Sequence, residues 1–384
     1  MLLILCESLV VIVGTLLLEI ERYQKLFLVM VTQRPARKID SLQAIRAFAA
    51  IAVMLFHGTE MLSERLGYLF VSNVFMAGFS GVDIFFVLSG FIILYTSSSG
   101  IDFYRFIQKR FIRIYPVYWL VTLLLVGWFF VSPTPEQSYK GDLGVILGSL
   151  SLFPQKQYVM GVAWTLTYEV IFYIVFALTY FKSPIYLFFT FLIWVVVILS
   201  CDFFDIKSGY LAVDSLVNPI ILNFALGCLI AYAYKRNSVC QYAVWFFWIG
   251  VFLFTLAWSS FYYFRLSDST VFAGEMARVY LFGLPAAILI FGALHIPTSV
   301  PKVLVYLGDA SYSLYLLHGT VLSILLKFVV KLNHVAIFSS FGGAAFLFVC
   351  AVFISCCFYS LVERNLLKLL SALISRPAVV IHKS

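Results

Sequence analysis

An arginine and a histidine lie eleven residues apart in an apolar segment near the start of the chain. Arg46 and His57 are the ionisable residues of the run from residue 42 to residue 59. Eleven helical steps of about 100° return to nearly the same face, roughly 16 Å further along the axis. An arginine suits phosphate binding, and a histidine suits proton abstraction. The structural alternative is an arginine that snorkels to the membrane surface and a histidine that bonds to a neighbouring helix.

A basic cluster stands before a later apolar segment, at Lys109, Arg110 and Arg113. Arg110 and Arg113 are three residues apart, so they share a face if this stretch is helical. Two guanidinium groups on one face are suited to binding phosphate. The same residues could instead be topological anchors, because short cytoplasmic loops of membrane proteins are rich in Lys and Arg.

One carboxylate, Glu169, lies about a turn and a half inside an apolar segment, where an unpaired charge is costly. We expect it to orient His57 or balance its charge, or to pair with another cation. His318 lies within a further apolar segment, and we interpret it as a packed, hydrogen-bonded histidine. No GxSxG motif surrounds Ser89, so we interpret this serine as a small residue that lets helices pack closely.

The composition indicates the class of protein that holds these residues in place. Of 384 residues, 63% are hydrophobic and 11% are charged, whereas soluble domains carry about 25% charged residues. The net charge of +8 does not indicate nucleic-acid binding, because the basic residues lie in short loops between apolar runs. The seven cysteines form no CxxC pair and the five histidines have no zinc-site spacing, so no metal site is expected.

The sequence predicts an all-α integral membrane protein, with about ten transmembrane helices in one bundle and a possible extra N-terminal helix. About 20 apolar residues in a helix cross the hydrocarbon core, where lipid cannot satisfy the polar groups of irregular backbone. Leu143–Phe153 is too short to span and should be re-entrant or interfacial. The predicted spans are 42–59, 75–97, 114–132, 162–181, 184–201, 214–234, 241–260, 277–295, 308–330 and 335–361.

The first 38 residues form an extension with three interpretations. Leu2–Leu18 is apolar but contains Glu7, and a charged patch follows it. The segment could be an eleventh span or an amphipathic anchor, or translation could start at Met30. A cleaved signal peptide is disfavoured, because no basic region precedes the apolar run.

The distribution of Lys and Arg predicts the orientation of the bundle. If the residues before the first span are cytoplasmic, fifteen Lys and Arg lie on the cytoplasmic side and six on the other. The positive-inside rule then places both ends of the ten-helix core in the cytoplasm.

Five sequence motifs follow one another along the chain: Ile39–Ala47 running to His57 with R-x10-H spacing, Gly81–Phe91, Arg110–Pro116 with RxxR spacing, Trp164–Glu169 and Leu307–His318. Together, and in this order, they resemble the motifs of the acyltransferase-3 family of bacterial membrane O-acyltransferases, and the resemblance covers roughly residues 39–366. The form of Trp164–Glu169 is most similar to the subgroup that includes succinoglycan O-acetyltransferases of exopolysaccharide synthesis.

The resemblance implies a membrane acyltransferase domain over residues 39–366, between the extension 1–38 and a cytoplasmic tail 367–384. It implies transfer of an acyl group, most simply acetyl, from cytoplasmic acyl-CoA to an extracytoplasmic polysaccharide or lipid-linked glycan at the bacterial inner membrane. Arg46, Arg110 and Arg113 would bind acetyl-CoA. His57 would be the general base, and Glu169 a second catalytic residue.

Two other classes of function compete with this interpretation. A transporter or flippase for a glycan or lipid-linked oligosaccharide would also need buried charges and many helices. Paired broken helices, which are typical of transporters, are not evident in the sequence. A structural scaffold would leave the shared face of Arg46 and His57 unexplained.

Overall fold

The computed structural model describes residues 39–70, 74–133, 135–236, 241–266, 274–296 and 299–375. The extension 1–38, with its three interpretations, lies outside the described residues, as do residues 376–384 of the predicted tail. The α-helices, in chain order, are α1 (Asp40–Leu66), α2 (Gly81–Ser97), α3 (Phe103–Val131), α4 (Leu143–Ser151), α5 (Ala163–Tyr180), α6 (Pro184–Phe203), α7 (Leu211–Leu216), α8 (Leu222–Arg236), α9 (Ala243–Leu266), α10 (Glu275–Arg278), α11 (Leu284–His295), α12 (Lys302–Asp309), α13 (Ser311–Lys331), α14 (Val335–Phe338), α15 (Phe341–Phe358) and α16 (Arg364–Ser375).

The predicted all-α membrane fold is confirmed. Within the described ranges, ten helical segments are long and apolar enough to cross a membrane. Turns of 3-10 helix at Val74–Ser80 and Pro219–Ile221 lengthen two of these segments, and a π-helical turn at Val279–Gly283 joins α10 to α11. The stretch predicted to be too short to span contains α4, a helix of nine residues.

The third span begins earlier than its apolar residues indicate. The predicted start was residue 114, but α3 begins at Phe103, because Asp102 caps it and accepts a hydrogen bond from the Arg105 backbone N–H at 2.8 Å. The basic cluster therefore lies inside the helix. This places Arg110 and Arg113 on a continuous helical face, as the three-residue spacing required.

The ninth span begins later than predicted. Gly308 and Asp309 belong to α12, and a break at Ala310 separates them from α13. A β-carbon on Gly308 would lie 2.1 Å from the backbone oxygen of Gln43. Only glycine therefore allows α12 to pack this closely against the start of α1.

Helices α1 and α13 run parallel. Arg46 donates to Ser311 near the start of both helices, and Arg65 donates to Ser323 near the far end of α1. Successive spans cross the membrane in alternating directions, so the first and ninth spans are expected to run in the same direction. All side chains near the starts of α1 and α13 therefore lie toward one face of the membrane.

Glycine contacts fix the packing of α2 on α8. A β-carbon on Gly90 would lie 2.1 Å from the Phe224 backbone oxygen, and one on Gly227 would lie 2.0 Å from that of Val87. Small residues that allow such backbone approach are the usual basis of close helix contacts in lipid. This contact leaves the opposite face of α2 to line the interior of the bundle.

The last helix extends into the segment predicted as a tail. A π-helical turn, Tyr359–Glu363, joins α15 to α16, so residues 367–375 are helical. Glu363 in this turn is fully buried. The end of the membrane domain is therefore anchored to the bundle rather than separate from it.

Candidate active site

Five helices, α1, α2, α3, α5 and α13, surround a cavity of about 170 Å³ inside the bundle. Arg46, Arg110, Arg113 and Glu169 all line it, although they come from three separate helices. The structure thus brings together four of the five site residues expected from the sequence. The fifth, His57, does not line this cavity.

Arg46 is held at the cavity wall by the first residue of α13. Its Nε and Nη2 donate to the hydroxyl of Ser311 at 3.1 and 3.0 Å. Ser311 is fully buried, so it fixes the position of the guanidinium group. A neutral hydroxyl leaves the positive charge of Arg46 available to an anion in the cavity.

Arg113 belongs to a buried ion pair. Its Nη1 lies 3.0 Å from Oε1 of Glu363, and Ser313 donates to the other oxygen of the same carboxylate. The side chain of Glu363 is fully buried, whereas that of Arg113 is 30% exposed. The ring of Tyr312 lies 5.2 Å from the guanidinium centre. Glu363 therefore anchors Arg113 from one side and leaves its other side facing the cavity.

Arg110 is oriented by weaker contacts. Its Nη2 donates to Thr96 at 3.2 Å, and its guanidinium centre lies 5.5 Å from the Phe106 ring and 5.7 Å from the Tyr173 ring. Its Nε is buried without a hydrogen-bond partner among the described residues. A buried donor without a partner is costly, which favours a ligand acceptor at this position.

Glu169 is bonded within the cavity rather than to His57. Its Oε1 accepts hydrogen bonds from Ser89, at 2.7 Å, and from Tyr173. Over the described residues no hydrogen bond or ion pair joins Glu169 to His57, so the structure does not bring this expected pair together. No ion pair of Glu169 with a cation is present among the described residues either, although Glu169 lines the same cavity as Arg46, Arg110 and Arg113.

The interpretation of Ser89 as a packing residue is wrong. Its hydroxyl lines the cavity and donates to Glu169. The close helix contact is made by its neighbour Gly90. The sequence could not separate the two roles, because adjacent residues of a helix differ by about 100° in direction.

A pair of hydroxyl groups closes the cavity toward His57. The hydroxyls of Thr165 and Tyr315 lie 2.7 Å apart, and both residues are buried. The ring of Tyr315 lies 6.0 Å from that of His318. The side chain of Tyr315 therefore lies between the cavity and the pair of histidines, His318 and His57.

His57 stacks on a second histidine and faces a different carboxylate. The rings of His57 and His318 lie 5.3 Å apart and are inclined by 19°. Nδ1 of His57 lies 3.5 Å from Oε2 of Glu60, one helical turn further along α1. Their side chains are 40% and 37% exposed, respectively, so this end of the site is open. Glu60, rather than Glu169, occupies the position expected of a carboxylate partner.

His318 is packed as expected, with one unused nitrogen. The residue is fully buried, and its Nδ1 lies 3.3 Å from the backbone oxygen of Leu314. Its Nε2 has no hydrogen-bond partner in the described ranges. The contact between His318 and His57 could not be inferred from the sequence, because the number of residues between α1 and α13 does not determine how close the two helices lie in space.

A second cavity, of about 370 Å³, adjoins the first. Both cavities are lined by Arg46 and Arg113, so these two residues separate the interior cavity from the second one. The second cavity is also lined by Gln43, Asp309, Arg364, Leu367, Lys368, Ser371 and Tyr359. It lies where α12, α16 and the start of α1 meet, at the end of the bundle that holds the basic cluster.

Comparison with known proteins places this geometry in a family. A family model described as an acyltransferase domain matches residues 39–360. The exopolysaccharide production protein ExoZ of Rhizobium meliloti is 29% identical over 305 residues, which cover 71% of this chain and 83% of that protein.

Two other relatives match shorter segments. The acyltransferase MdmB of Streptomyces mycarofaciens is 30% identical over 154 residues, covering 37% of this chain and 39% of that protein. The peptidoglycan O-acetyltransferase OatA of Listeria monocytogenes is 31% identical over 119 residues, covering 29% of this chain and 17% of that protein. No solved structure matches the chain significantly.

Proposed function

The chain belongs to the acyltransferase-3 family, and from that premise we propose that it transfers an acyl group from cytoplasmic acyl-CoA to an extracytoplasmic glycan. One observation carries the proposal. Arg46, Arg110, Arg113 and Glu169 line one interior cavity, and Arg46 and Arg113 also line a basic cavity at the end of the bundle. Such a passage suits a donor with a phosphate-bearing head and a long, uncharged arm.

The proposed orientation places the second cavity in the cytoplasm. The positive-inside rule supports it, because the basic cluster of α3 and the start of α16 lie at the same end. Acyl-CoA is a cytoplasmic metabolite and would enter from this end. Both ends of the ten-helix core are then cytoplasmic, at the bacterial inner membrane.

The three arginines serve the donor. Arg46 and Arg113 stand where the two cavities meet, and Arg110 presents an unpartnered buried Nε in the inner one. Planar guanidinium groups bind phosphate bidentately, which lysine cannot do. In our proposal they hold the phosphates of acetyl-CoA while the acyl arm extends along the cavity toward Tyr315.

His57 acts as the general base in this proposal. It takes the proton of a sugar hydroxyl, and the hydroxyl oxygen forms a bond to the thioester carbonyl carbon. The carbon–sulfur bond breaks, and the CoA thiolate leaves and takes up the proton. The exposure of His57 supports access for the glycan, because its side chain is 40% exposed.

The two carboxylates have separate tasks in the proposal. Glu60 faces Nδ1 of His57 and orients the imidazole so that Nε2 can meet the acceptor. Glu169, bonded to Ser89 and Tyr173, balances the charge of the arginines and shapes the cavity for the acyl arm. Both would affect the rate, but only Glu169 lies on the donor side.

A polysaccharide or lipid-linked glycan is the proposed acceptor. ExoZ is named for exopolysaccharide production and OatA for O-acetylation of peptidoglycan. Acetyl is accordingly the proposed acyl group. The flippase alternative receives no support from a specific observation, and the acyltransferase family model argues against it.

The test uses the purified full chain in nanodiscs with [¹⁴C]acetyl-CoA. We expect time-dependent release of CoA, accelerated by a lipid-linked glycan extract from the source strain, with label recovered in the glycan. A matched variant, Arg110→Ala, should release CoA far more slowly at low donor concentration. If the wild-type protein moves the glycan across the membrane but releases no CoA, the transporter alternative is correct and the proposal is wrong.

A further inference from the structure

The C-terminal helix α16 presents a polar face to the second cavity. Arg364, Lys368 and Ser371 follow one another at spacings of four and three residues, which place them on one side of a helix. All three line the cavity. Leu369 and Leu373 are 61% and 56% exposed, as expected for residues that face lipid. The helix is thus amphipathic, with its basic side turned to the cavity.

The cationic residues of this cavity outnumber the carboxylates. Arg364 and Lys368 join Arg46 and Arg113, while Asp309 is the carboxylate among the lining residues. Arg113 is already paired with Glu363. Neither Arg364 nor Lys368 forms a salt bridge with any residue that the structure describes. Two cationic side chains on one wall therefore remain for an anionic ligand.

A buried acceptor in the same cavity points to a ligand with donors as well. Oε1 of Gln43 is buried and has no hydrogen-bond partner within the described ranges. A buried acceptor left without a donor is unfavourable, so a ligand donor at this position would be stabilising. A ligand that offers both phosphate groups and N–H groups would satisfy Gln43 and the cations together.

We propose that Arg364 and Lys368 of α16 bind the 3′-phosphorylated ADP portion of acyl-CoA in the second cavity. This inference rests on the proposed function and extends it from the thioester to the nucleotide. The 3′-phosphate lies against the two cationic side chains of α16, and the diphosphate reaches Arg46 and Arg113, which line the same cavity. A nucleotide or pantetheine N–H donates to Gln43. The pantetheine arm then passes between Arg46 and Arg113 into the inner cavity, which Arg113 lines with its free side.

An anionic phospholipid offers the same phosphate chemistry to a basic amphipathic helix. The position of the two side chains favours the nucleotide. They line a cavity that continues to the predicted catalytic groups, whereas Leu369 and Leu373 face outward. A lipid headgroup would need only the outer rim of the helix.

The experiment compares two acyl donors on the purified full chain in nanodiscs of zwitterionic lipid. Acetyl-CoA carries the nucleotide, and S-acetylpantetheine lacks it. The double variant Arg364→Gln/Lys368→Gln is compared with Lys302→Gln, which removes an exposed charge on α12 outside the cavity. Direct binding is measured by titration with adenosine 3′,5′-bisphosphate.

We expect the double variant to raise KM for acetyl-CoA by roughly tenfold or more, with kcat unchanged, because charged hydrogen bonds to phosphate are lost. Its KM for S-acetylpantetheine should stay at the wild-type value, which also shows that the variant is folded. Adenosine 3′,5′-bisphosphate should bind the wild type and Lys302→Gln equally, and the double variant much more weakly.

Two results would overturn the inference while leaving the proposed function intact. One is an unchanged KM for acetyl-CoA in the double variant. The other is a loss of co-purified anionic phospholipid from the double variant with unchanged nucleotide binding, which would assign the site to lipid. If wild-type protein uses neither donor, the proposed function itself fails, and the inference fails with it.

Discussion

Arg113 has two roles that a simple alanine substitution would confuse. It lines both cavities, and it also neutralises Glu363, whose side chain is fully buried. Arg113→Ala would therefore remove the proposed phosphate contact and also leave a carboxylate unpaired. Removing one partner of a buried ion pair typically destabilises a protein by about 3–5 kcal/mol.

The double variant Arg113→Ala/Glu363→Gln separates the two effects. The glutamine is neutral and can still accept the hydrogen bond from Ser313. We expect most of the lost stability to return, because no uncompensated charge remains. Binding of acetyl-CoA should stay weaker than in the wild type. The loss of one charged hydrogen bond costs about 1.5–3 kcal/mol of binding free energy, which is roughly a ten- to hundredfold rise in Kd.

Thermal unfolding in detergent and titration with acetyl-CoA measure these quantities on the same preparations. Glu363→Gln alone is the matched control, because it keeps the Arg113 guanidinium and should bind acetyl-CoA nearly as well as the wild type. If the double variant recovers both stability and affinity, Arg113 acts only as the partner of Glu363. The assignment of the RxxR pair to the donor would then be refuted.

Three further predictions concern the frame around the site. Reporter fusions at Ser138 and Lys235 should lie on opposite sides of the membrane, and reporters on the same side would contradict the proposed route from CoA to glycan. Glu60→Gln should lower kcat without changing KM for acetyl-CoA, whereas a raised KM with unchanged kcat would place Glu60 on the donor side. Gly308→Ala should destabilise the protein by about 1–3 kcal/mol through overpacking against Gln43, measured by thermal unfolding, and an unchanged Tm would show that α12 can shift freely.

Much of the fold, and the residues that line the inner cavity, could be predicted from the sequence. Hydropathy marks spans well, because lipid demands long apolar helices. Buried charges are costly there, so Arg46, Arg110, Arg113 and Glu169 stood out by residue type alone. The cost of burying these charges in lipid favours helix rotations that turn them toward the interior of the bundle, where they line one cavity.

The contacts between helices could not be predicted in the same way. The stacking of His57 on His318, the burial of Glu363 against Arg113 and the hydrogen bond from Ser89 to Glu169 depend on how each helix is rotated. A nearly uniform apolar helix in lipid has little pattern to reveal that rotation. Glu60 was within reach of sequence reasoning, since it lies three residues after His57 on the same helix.

The basic face of α16 was missed for a different reason. In the sequence, Arg364 and Lys368 count only among the fifteen cytoplasmic Lys and Arg, because the apolar run ends before them. The π-helical turn that ends at Glu363 carries the chain on as a helix, and the buried carboxylate fixes where that helix begins. Only the structure shows that both cations turn toward the cavity.

The central claim, that His57 is the general base, is tested most directly by His57→Gln in the glycan acylation assay. Glutamine keeps a hydrogen-bonding side chain beside His318 but cannot take a proton at neutral pH. The matched control is His334→Gln, an exposed histidine in the segment between α13 and α14. We expect His57→Gln to lose about 10²–10⁴-fold in rate at normal protein levels and with acetyl-CoA affinity retained, because Arg46 lies roughly 16 Å away along α1. Acylation by His57→Gln at a rate near that of the wild type and of His334→Gln would contradict the account.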